Sequence, residues 1–393
     1  MVSERKIMGK NFKAFAPGRT EIAGNHVDHQ HGIAVTGSLK QGISADVELR
    51  DDKIIHINSE GFEPFDVDID KVAEAMAPDP SKFNTTEALV AGVAHKFIEA
   101  GVPISGFTAN CSSTIGAGMG LSSSAAFELL IAVILNDAYA SGKFSKMELA
   151  QIGHFAEVEY YGKPCGLLDE TAISYGGIIK INFANPEVLD VKPIDFSFER
   201  AGLGAVLVDS GAEHGDISHM YAAIPGDMKK VAELCGVEFL NETNIDTLSK
   251  NLMNAEKVLG DKAANRGINY FHEINLTKER IKAMEAGDGK LFMQLHGLSG
   301  SSSAQFLQNV TVSEEDQQAT LCQAICELCL DQACEGDYTN RGASRIHGGG
   351  FGGCMQVFLP IEQVSKFCTL VNEIYGREAA TEIQFSDTGA TTL

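Results

Sequence analysis

The chain has 393 residues, of which 44% are hydrophobic and 21% charged, which is ordinary for a folded protein of about two domains. Its 53 acidic residues outnumber 31 basic ones, and the net charge of −22 argues against nucleic acid and anionic membrane surfaces as partners. The sequence shows no signal peptide, no membrane span and no regular spacing of its nine cysteines. We expect a cytoplasmic protein with reduced thiols, and we take it to be a monomer or weak homodimer.

The first part of the chain predicts a sheet interrupted by one helix. A helix-period pattern covers residues from about 86 to 100. Turn residues at 51–52 and 60–61 separate the first apolar runs. The predicted strands are 13–17, 43–50, 53–59, 61–69 and 107–112.

Residues 116–126 read Gly-Ala-Gly-Met-Gly-Leu-Ser-Ser-Ser-Ala-Ala and pass directly into an apolar helix that reaches about residue 140. Glycines allow close backbone approach to a ligand, and a helix N-terminus attracts anions. The segment contains no Gly-Lys-Ser/Thr and so differs from the common P-loop, and the helix that follows disfavours a flexible linker. We predict a site for ATP with Mg²⁺, lined by Gly116, Gly118, Gly120, Leu121, Ser122, Ser123 and Ser124.

The rest of the chain alternates between helical and strand patterns. Helices are predicted at 146–161, 167–175 and 361–376 and through most of 216–336, with strands at 177–183, 203–209, 343–347, 354–359 and 380–385. This order indicates an α+β protein in two halves with a seam near 180–205. We predict domains at 1–190 and 191–393.

Residues 17–32 concentrate polar groups between two glycine-bearing turns. His26, Asp28, His29 and His31 have the ligand types of a metal cluster, although no further Cys or His cluster completes it. A sugar site is the alternative, in which Asp and His bind hydroxyl groups and Arg19 supplies a fixed positive charge. A solvated loop is the third interpretation.

Residues 162–170 start a helix with Pro-Cys-Gly and place Asp169 near its first turn. Asp169 is either an acid that the helix dipole favours or a carboxylate general base that faces the phosphate loop. Glu157, one helix earlier, is a candidate Mg²⁺ ligand, because Mg²⁺ takes one or two carboxylates together with phosphate oxygens.

Cys322, Cys326 and Cys329 match the spacing of an iron–sulfur ligand triplet. The segment reads as a helix, however, whereas such ligands lie on a loop. Leu321, Ile325 and Leu328 form an apolar stripe beside the cysteines. We therefore predict a structural role for the cysteines as small buried hydrophobic residues.

Together, three segments resemble the three motifs of the GHMP small-molecule kinases. Residues 120–126 match the second motif, and Gly-Gly-Gly-Phe-Gly-Gly-Cys at 348–354 matches the third without gaps. The spacing of Glu157 and Asp169 and the segment 218–221 also resemble the family. The first motif is similar to the sugar signature of the galactose-phosphorylating members at Gly18, Arg19, Ile22, Gly24, His26, Asp28 and Gly32.

The resemblance implies the two-domain GHMP kinase fold, with the active site in the inter-domain cleft. It also implies MgATP-dependent phosphorylation of the C1 hydroxyl of galactose. In this view Asp169 takes the base position, Arg19 is its partner, and Mg²⁺ is held by Glu157 together with Ser123 or a neighbouring serine. The implied sugar-binding residues are Arg19, Asn25, His26, Asp28, Gly166, Asp169 and Tyr221.

The chain also departs from the family. Asn25 replaces the glutamate that contacts the sugar C6 hydroxyl in the relatives, Glu21 replaces an asparagine, and His29 replaces a tyrosine. Gly116 replaces a proline, and no aromatic residue lies at 84–92 beside the adenine. These changes predict weaker discrimination against galacturonate, because Asn25 carries no charge to repel a carboxylate.

Two alternatives follow from these departures. One is a GHMP kinase for a related sugar, such as galacturonate or N-acetylgalactosamine. The other is a non-catalytic sensor of galactose and ATP, which is disfavoured because Arg19, Ser124, Ala125 and Asp169 are all present.

Overall fold

A computed structural model describes residues 10–116, 118–212 and 218–393. These residues form an α+β fold with two sheets, as the sequence predicts. The first sheet contains β1 (Asn11–Ala23), β2 (Ile33–Leu49), β3 (Ile54–Ser59), β4 (Phe65–Asp68), β5 (Phe107–Ser113), β6 (Ile178–Asn182), β7 (Asp190–Pro193) and β12 (Thr391–Thr392). The second contains β8 (Leu203–Asp209), β9 (Ala343–Ile346), β10 (Cys354–Pro360) and β11 (Ala380–Ile383).

The helices fall into two groups along the chain. The first group is α1 (Ile69–Ala75), α2 (Thr86–Glu99), α3 (Ser123–Tyr139), α4 (Lys146–Phe155) and α5 (Leu168–Tyr175). The second is α6 (Ser218–Leu234), α7 (Ile245–Leu259), α8 (Asp261–Glu285), α9 (Gly289–Ser302), α10 (Gln318–Ala333) and α11 (Val364–Tyr375). Within the described ranges, no helix combines the length and the apolar composition that crossing a bilayer requires.

The first sheet is built around the long antiparallel pair of β1 and β2. The strand order is β12-β1-β2-β5-β3-β4, and the other half of β2 pairs with β6, which pairs with β7. Only β3 and β5 run parallel among the described pairs. Apolar side chains of α2 and α3, among them Phe97, Leu130 and Ile134, pack with Ile55 and Phe107 of this sheet.

The second sheet has the order β11-β8-β10-β9 and is antiparallel throughout. Cys322, Cys326 and Cys329 of α10 are fully buried in its core, which confirms their structural role. The apolar stripe predicted for this helix does not face the core, since Leu321 is 62% exposed and Leu328 is 50% exposed. The cysteines, rather than these leucines, face the sheet, because their small side chains allow the helix to pack closely.

A hydrophobic cluster joins the two halves. It combines Ile22, Leu39 and Leu121 of the first half with Phe292 and Phe358 of the second. The strands from 11 to 193 form the first sheet and those from 203 to 383 form the second, so a boundary after residue 190 would divide β7. The terminal β12 is the exception, since it returns to pair with β1.

The first half of the polar motif at 17–32 lies on a strand, and only the second half lies outside β1. β1 continues through Ala23, so Arg19 lies on a strand, where the sequence suggested a turn at Pro17 and Gly18. Register shifts between Pro17 and Arg19 and again before Ala23 accommodate these residues without ending the strand.

Candidate active site

Arg19 and Asp169 form the centre of the candidate site. Arg19 Nε donates to Asp169 Oδ1 and Nη2 donates to Oδ2, both at 2.6 Å, so the pair is bidentate. The third nitrogen, Nη1, donates to the carbonyl of Gly120 at 2.6 Å. One guanidinium group therefore fixes both the acid at the start of α5 and the glycine loop before α3.

Asp169 is held in its charged form. Burial alone would raise its pKa, but the charge and hydrogen bonds of Arg19 and the hydroxyl of Ser122 outweigh burial and hold the pKa below its usual 3.8. A carboxylate offers about four acceptor positions, and three are used by these donors. One position on Oδ1 remains for a hydroxyl group of a ligand.

The glycine loop presents an unusual helix start. Gly118, Gly120 and Ser122 all have left-handed backbone conformations, with φ of +75°, +68° and +57°. The N–H of Arg19 donates to the carbonyl of Leu121 at 3.2 Å and ties the loop to β1. In the described part of the chain no side chain caps the N-terminus of α3, so its first N–H groups are free to bind an anion.

Glu157 lies beside this helix start, on the π-helical turn Ala156–Tyr161 that follows α4. Its side chain is 2% exposed, and Oε1 accepts from Ser124 Oγ at 3.0 Å and from Lys163 Nζ at 2.6 Å. The structure thus brings Ser124 rather than the predicted Ser123 to Glu157, because Ser123 is exposed one position earlier on the helix. Hydroxyl and carboxylate oxygens fit the preferences of Mg²⁺.

Two further buried carboxyl groups adjoin Glu157, and sequence reasoning missed both. Glu128 and Glu170 are fully buried, and burial, with nearby carboxylates adding to it, raises both pKa values well above normal. Oxygen and sulfur atoms of Glu157, Glu170 and Cys165 lie within 4.8 Å of one another. Glu128 is four residues after Ser124 on α3, and this helical spacing was the available signal.

Asp28 and Gly166 lie close together. Asp28 begins a short 3₁₀ turn, and a Cβ on Gly166 would lie 3.1 Å from its Oδ2. Gly166 comes three residues before Asp169, so Asp28 lies against the segment that leads into Asp169, which favours the sugar-site interpretation. The metal-cluster interpretation gains no support, since the only group of potential metal ligands found among the described residues contains no histidine.

His26 and Tyr221 contact the loop at 347–353 that carries the third motif. His26 Nε2 lies 2.9 Å from the carbonyl of Gly349, and Tyr221 Oη donates to the carbonyl of Gly350 at 2.8 Å. Burial, followed by the neighbouring His29, lowers the pKa of His26 to about 4, so its ring is neutral near pH 7. Both side chains thus position the loop.

Asn25 lies deeper than the sequence suggested. It is 1% exposed, its Nδ2 donates to the carbonyl of Gly348 at 2.6 Å, and its Oδ1 accepts from Asn309 at 3.1 Å. The amide is therefore already engaged by the second half of the protein. This arrangement leaves little of Asn25 for a sugar hydroxyl group.

A buried charge network anchors the end of β1. Glu273 of α8 accepts from the N–H of Gly24 at 3.1 Å and from Arg280, and Arg280 donates to the carbonyl of Ile22 at 3.1 Å. Arg345 of β9 lies 3.8 Å from the same glutamate. All three charged side chains are buried, so the strand that carries Arg19 is held by the other half of the molecule.

Comparison with known proteins agrees with this geometry. The family model described as GHMP kinases N terminal domain matches residues 88–177, and the galactokinase galactose-binding signature matches residues 5–47. Galactokinase of Streptomyces coelicolor is 28% identical over 365 residues, covering 92% of this chain and 87% of the relative. Galactokinase of Glaesserella parasuis is 25% identical over 373 residues, covering 94% and 91%.

Solved structures share the fold. The complex of Lactococcus lactis galactokinase with galactose superposes with a TM-score of 0.80 at 23% identity, covering 100% of this chain and 97% of that one. Mevalonate kinase of Methanococcus jannaschii gives a TM-score of 0.66 at 15% identity, covering 96% and 99%. The two family models, the relatives and the fold therefore agree: the chain is similar throughout to the GHMP small-molecule kinases, and residues 5–47 carry the galactokinase signature.

Proposed function

We propose that this protein is a galactokinase, which transfers the γ-phosphate of ATP to the C1 hydroxyl of D-galactose. The observation that carries this proposal is the bidentate Arg19–Asp169 pair beside the uncapped N-terminus of α3, in a chain with the galactose-binding signature. Phosphoryl transfer depends on alignment and on stabilisation of charge, and these groups supply both.

Asp169 is the residue that orients the reacting hydroxyl group. Its remaining acceptor position on Oδ1 takes the hydrogen bond of that hydroxyl, and Arg19 keeps the carboxylate in place. A lowered pKa makes Asp169 a weak base, which favours an orienting role with proton transfer late in the reaction. Arg19 also offsets negative charge on the transferred group.

The free N–H groups and hydroxyls at 118–124 are the donors for the ATP phosphates. Glu157 and Ser124 are the residues that would hold Mg²⁺, with Ser123, the residue predicted from the sequence, next to them. Mg²⁺ when bound supplies positive charge that offsets the phosphate oxygens. Lys163, already paired with Glu157, adds a second protein cation at this end of the cleft.

The remaining assignments complete the proposal. Arg19, Asp28, Gly166, His26 and Tyr221 border the sugar subsite, while Asn25 supports it from behind. We place the domain boundary between β7 and β8, a few residues beyond the predicted residue 190, with β12 added to the first domain. All nine cysteines are free thiols, which supports a cytoplasmic location.

The test is an ADP-release assay with MgATP across galactose, galacturonate, N-acetylgalactosamine, glucose and mannose. We expect galactose to give the highest kcat/KM and the product to be the 1-phosphate, identified by NMR. A higher kcat/KM with galacturonate or N-acetylgalactosamine would show that this sugar, rather than galactose, is the preferred substrate. Binding of galactose and ATP without ADP release would instead indicate a sensor.

A further inference from the structure

Glu21 shares a strand face with Arg19. The pairing of β1 with β2 is regular from Arg19 to Glu21, with Arg19 opposite Ser38 and Glu21 opposite Thr36. Side chains two residues apart on a strand point to the same side. The Glu21 carboxyl therefore lies one step along β1 from the guanidinium group that holds Asp169.

The contacts of Glu21 hold one of its oxygens and leave the other open. Oε1 accepts from Arg345 Nη2 and from Asn25 Nδ2, each at 3.3 Å. No hydrogen bond to Oε2 is present among the described residues, and the side chain is 12% exposed. The open oxygen thus belongs to a carboxyl group that is ordered by two neighbours and is still partly exposed.

Glu21 and Asn25 exchange two residue types. The related sugar signature has asparagine at the position of Glu21 and glutamate at the position of Asn25, and in this chain the order is reversed. The two side chains are hydrogen-bonded to each other, so this chain keeps one glutamate and one asparagine in contact but at interchanged positions. Because the amide of Asn25 is engaged by Gly348 and Asn309, the carboxyl group available to a ligand is that of Glu21.

We propose that Glu21 is a specificity-determining residue of the sugar subsite, which accepts a hydrogen bond from the C6 hydroxyl of the hexose and disfavours a C6 carboxylate. This inference rests on the proposed function and names one residue of the same site. It reverses the expectation from Asn25 alone, since discrimination against galacturonate is then restored by a residue four positions earlier.

The charges around Glu21 make its role dependent on pH. Burial raises its pKa to about 7; Arg345 and Arg19 oppose this shift, while Asp28 and Glu273 add to it. Both arginines stay charged at all relevant pH values. The pKa of Glu273 is lowered, so that group is ionised throughout. Glu21 therefore loses its negative charge as the pH falls from 8 to 6.

The experiment measures galacturonate as a competitive inhibitor of galactose phosphorylation, so that it also works if galacturonate is not turned over. In Glu21→Gln we expect the ratio of galacturonate Ki to galactose KM at pH 8 to fall roughly 10- to 100-fold, as expected for removing one buried like charge. The matched control is Glu48→Gln on β2, whose carboxylate is 61% exposed. The control should keep the parent ratio. Equal ratios in both variants would overturn the proposal.

The parent protein supplies a second readout that needs no variant. Galacturonate keeps its charge between pH 6 and pH 8, since an ordinary carboxyl group has a pKa near 4. As Glu21 becomes protonated towards pH 6, galacturonate should bind more tightly relative to galactose. A ratio that is constant over this range overturns the proposal even if Glu21→Gln does not fold.

The exchange variant Glu21→Asn/Asn25→Glu separates position from charge. We expect it to keep the lowered ratio of Glu21→Gln, because the side chain at position 25 is buried against Gly348 and Asn309. Recovery of the parent ratio would place the C6 contact at position 25 and overturn the proposal. A parent that does not phosphorylate galactose at all would defeat the proposed function rather than this inference. A parent that turns over galactose, with the same sugar ratio in every variant, would defeat this inference alone.

Discussion

The guanidinium group of Arg19 has a separate donor for each of its contacts. Two nitrogens bind the carboxylate of Asp169 and the third binds Gly120. A lysine offers a single charged nitrogen and cannot reproduce this planar arrangement. The site therefore depends on the shape of the cation as well as on its charge.

We expect Arg19→Lys and Asp169→Asn to lower kcat by a factor of 100 or more, or about 3 kcal/mol of transition-state stabilisation, with little change in ATP affinity. The matched control is Arg50→Lys, which alters a second arginine that binds a carboxylate, Asp52, with two nitrogens but on the exposed surface. Steady-state kinetics and ATP titration of the three variants test this. A kcat close to that of the parent in Arg19→Lys would show that the guanidinium group of Arg19 is not needed for the reaction.

Glu157→Gln should raise the Mg²⁺ concentration needed for half-maximal activity several-fold, while the galactose KM changes little, because an amide oxygen is a weaker ligand than a carboxylate. Glu159→Gln is the control, since Glu159 is exposed on the same π-helical turn. Mg²⁺ titrations at fixed ATP and galactose check this. Superimposable curves for the two variants would show that Glu157 does not hold the metal.

Sequence reasoning identified residue types better than their contacts. Arg19 and Asp169 were paired on the strength of resemblance, and the structure brings them together. Ser124 rather than Ser123 contacts Glu157, because the choice depends on helix phase, which a run of three serines does not reveal. Asn25 is turned towards Asn309, a residue 284 positions away, and nothing local in the sequence marks such a contact.

The loop at 347–353 connects two strands and also positions the sugar motif. Gly350 has φ of +87°, and a Cβ there would lie 2.1 Å from the carbonyl oxygen of Asn309. Gly348 also has a positive φ, of +61°, but a Cβ there would meet no atom within 4 Å. A side chain at Gly348 would therefore meet backbone strain alone, whereas one at Gly350 would also clash with a neighbouring atom.

Gly350→Ala should destabilise the protein by several kcal/mol, because the loop must move away from Asn309, whereas Gly348→Ala should cost only about 1 kcal/mol of backbone strain. Urea unfolding measures both. We also expect Gly350→Ala to raise the galactose KM, since the loop contacts His26 and Tyr221. Equal unfolding midpoints would mean that the loop tolerates the displacement.

Elements with a strong period were predicted to within a few residues, and irregular ones were not. α2, α3 and β8 have apolar patterns that leave little choice, and their observed bounds agree with prediction. β1 was cut short because Pro17 and Gly18 usually end a strand, whereas here register shifts absorb them. β12 has two residues, and its pairing with β1 depends on tertiary contact alone.

Several buried histidines are neutral in the folded protein, and this affects stability in acid. Burial, with the charges of Arg19 and Arg345 adding to it, lowers the pKa of His347 from 6.5 to about 3. Its stabilising contribution is complete above pH 6.5 and is lost as the pH falls towards 3, because the unfolded chain binds the proton first. Below pH 6.5 each pH unit then costs about 1.4 kcal/mol for this group.

His347→Gln should therefore show a shallower loss of unfolding free energy between pH 6.5 and pH 5 than the parent, although it also loses the contact of the ring with Thr20. His219→Gln, at an exposed position of α6, is the control and should follow the parent slope. Denaturant unfolding at several pH values gives both slopes. Parallel curves for parent and His347→Gln would contradict the assignment of a neutral, titrating ring.

The buried charges where β1 meets α8 limit how the cleft can open. Backbone groups of Ile22 and Gly24 are bonded to Arg280 and Glu273, so a rotation of one half against the other would separate them. The two charged side chains would stay paired with each other on α8, but each hydrogen bond lost between a charged group and the buried backbone costs about 1.5–3 kcal/mol. A hinge at this seam is therefore rarely thermally accessible. Sugar entry and product release must instead rely on motion of the short segments that rim the cleft.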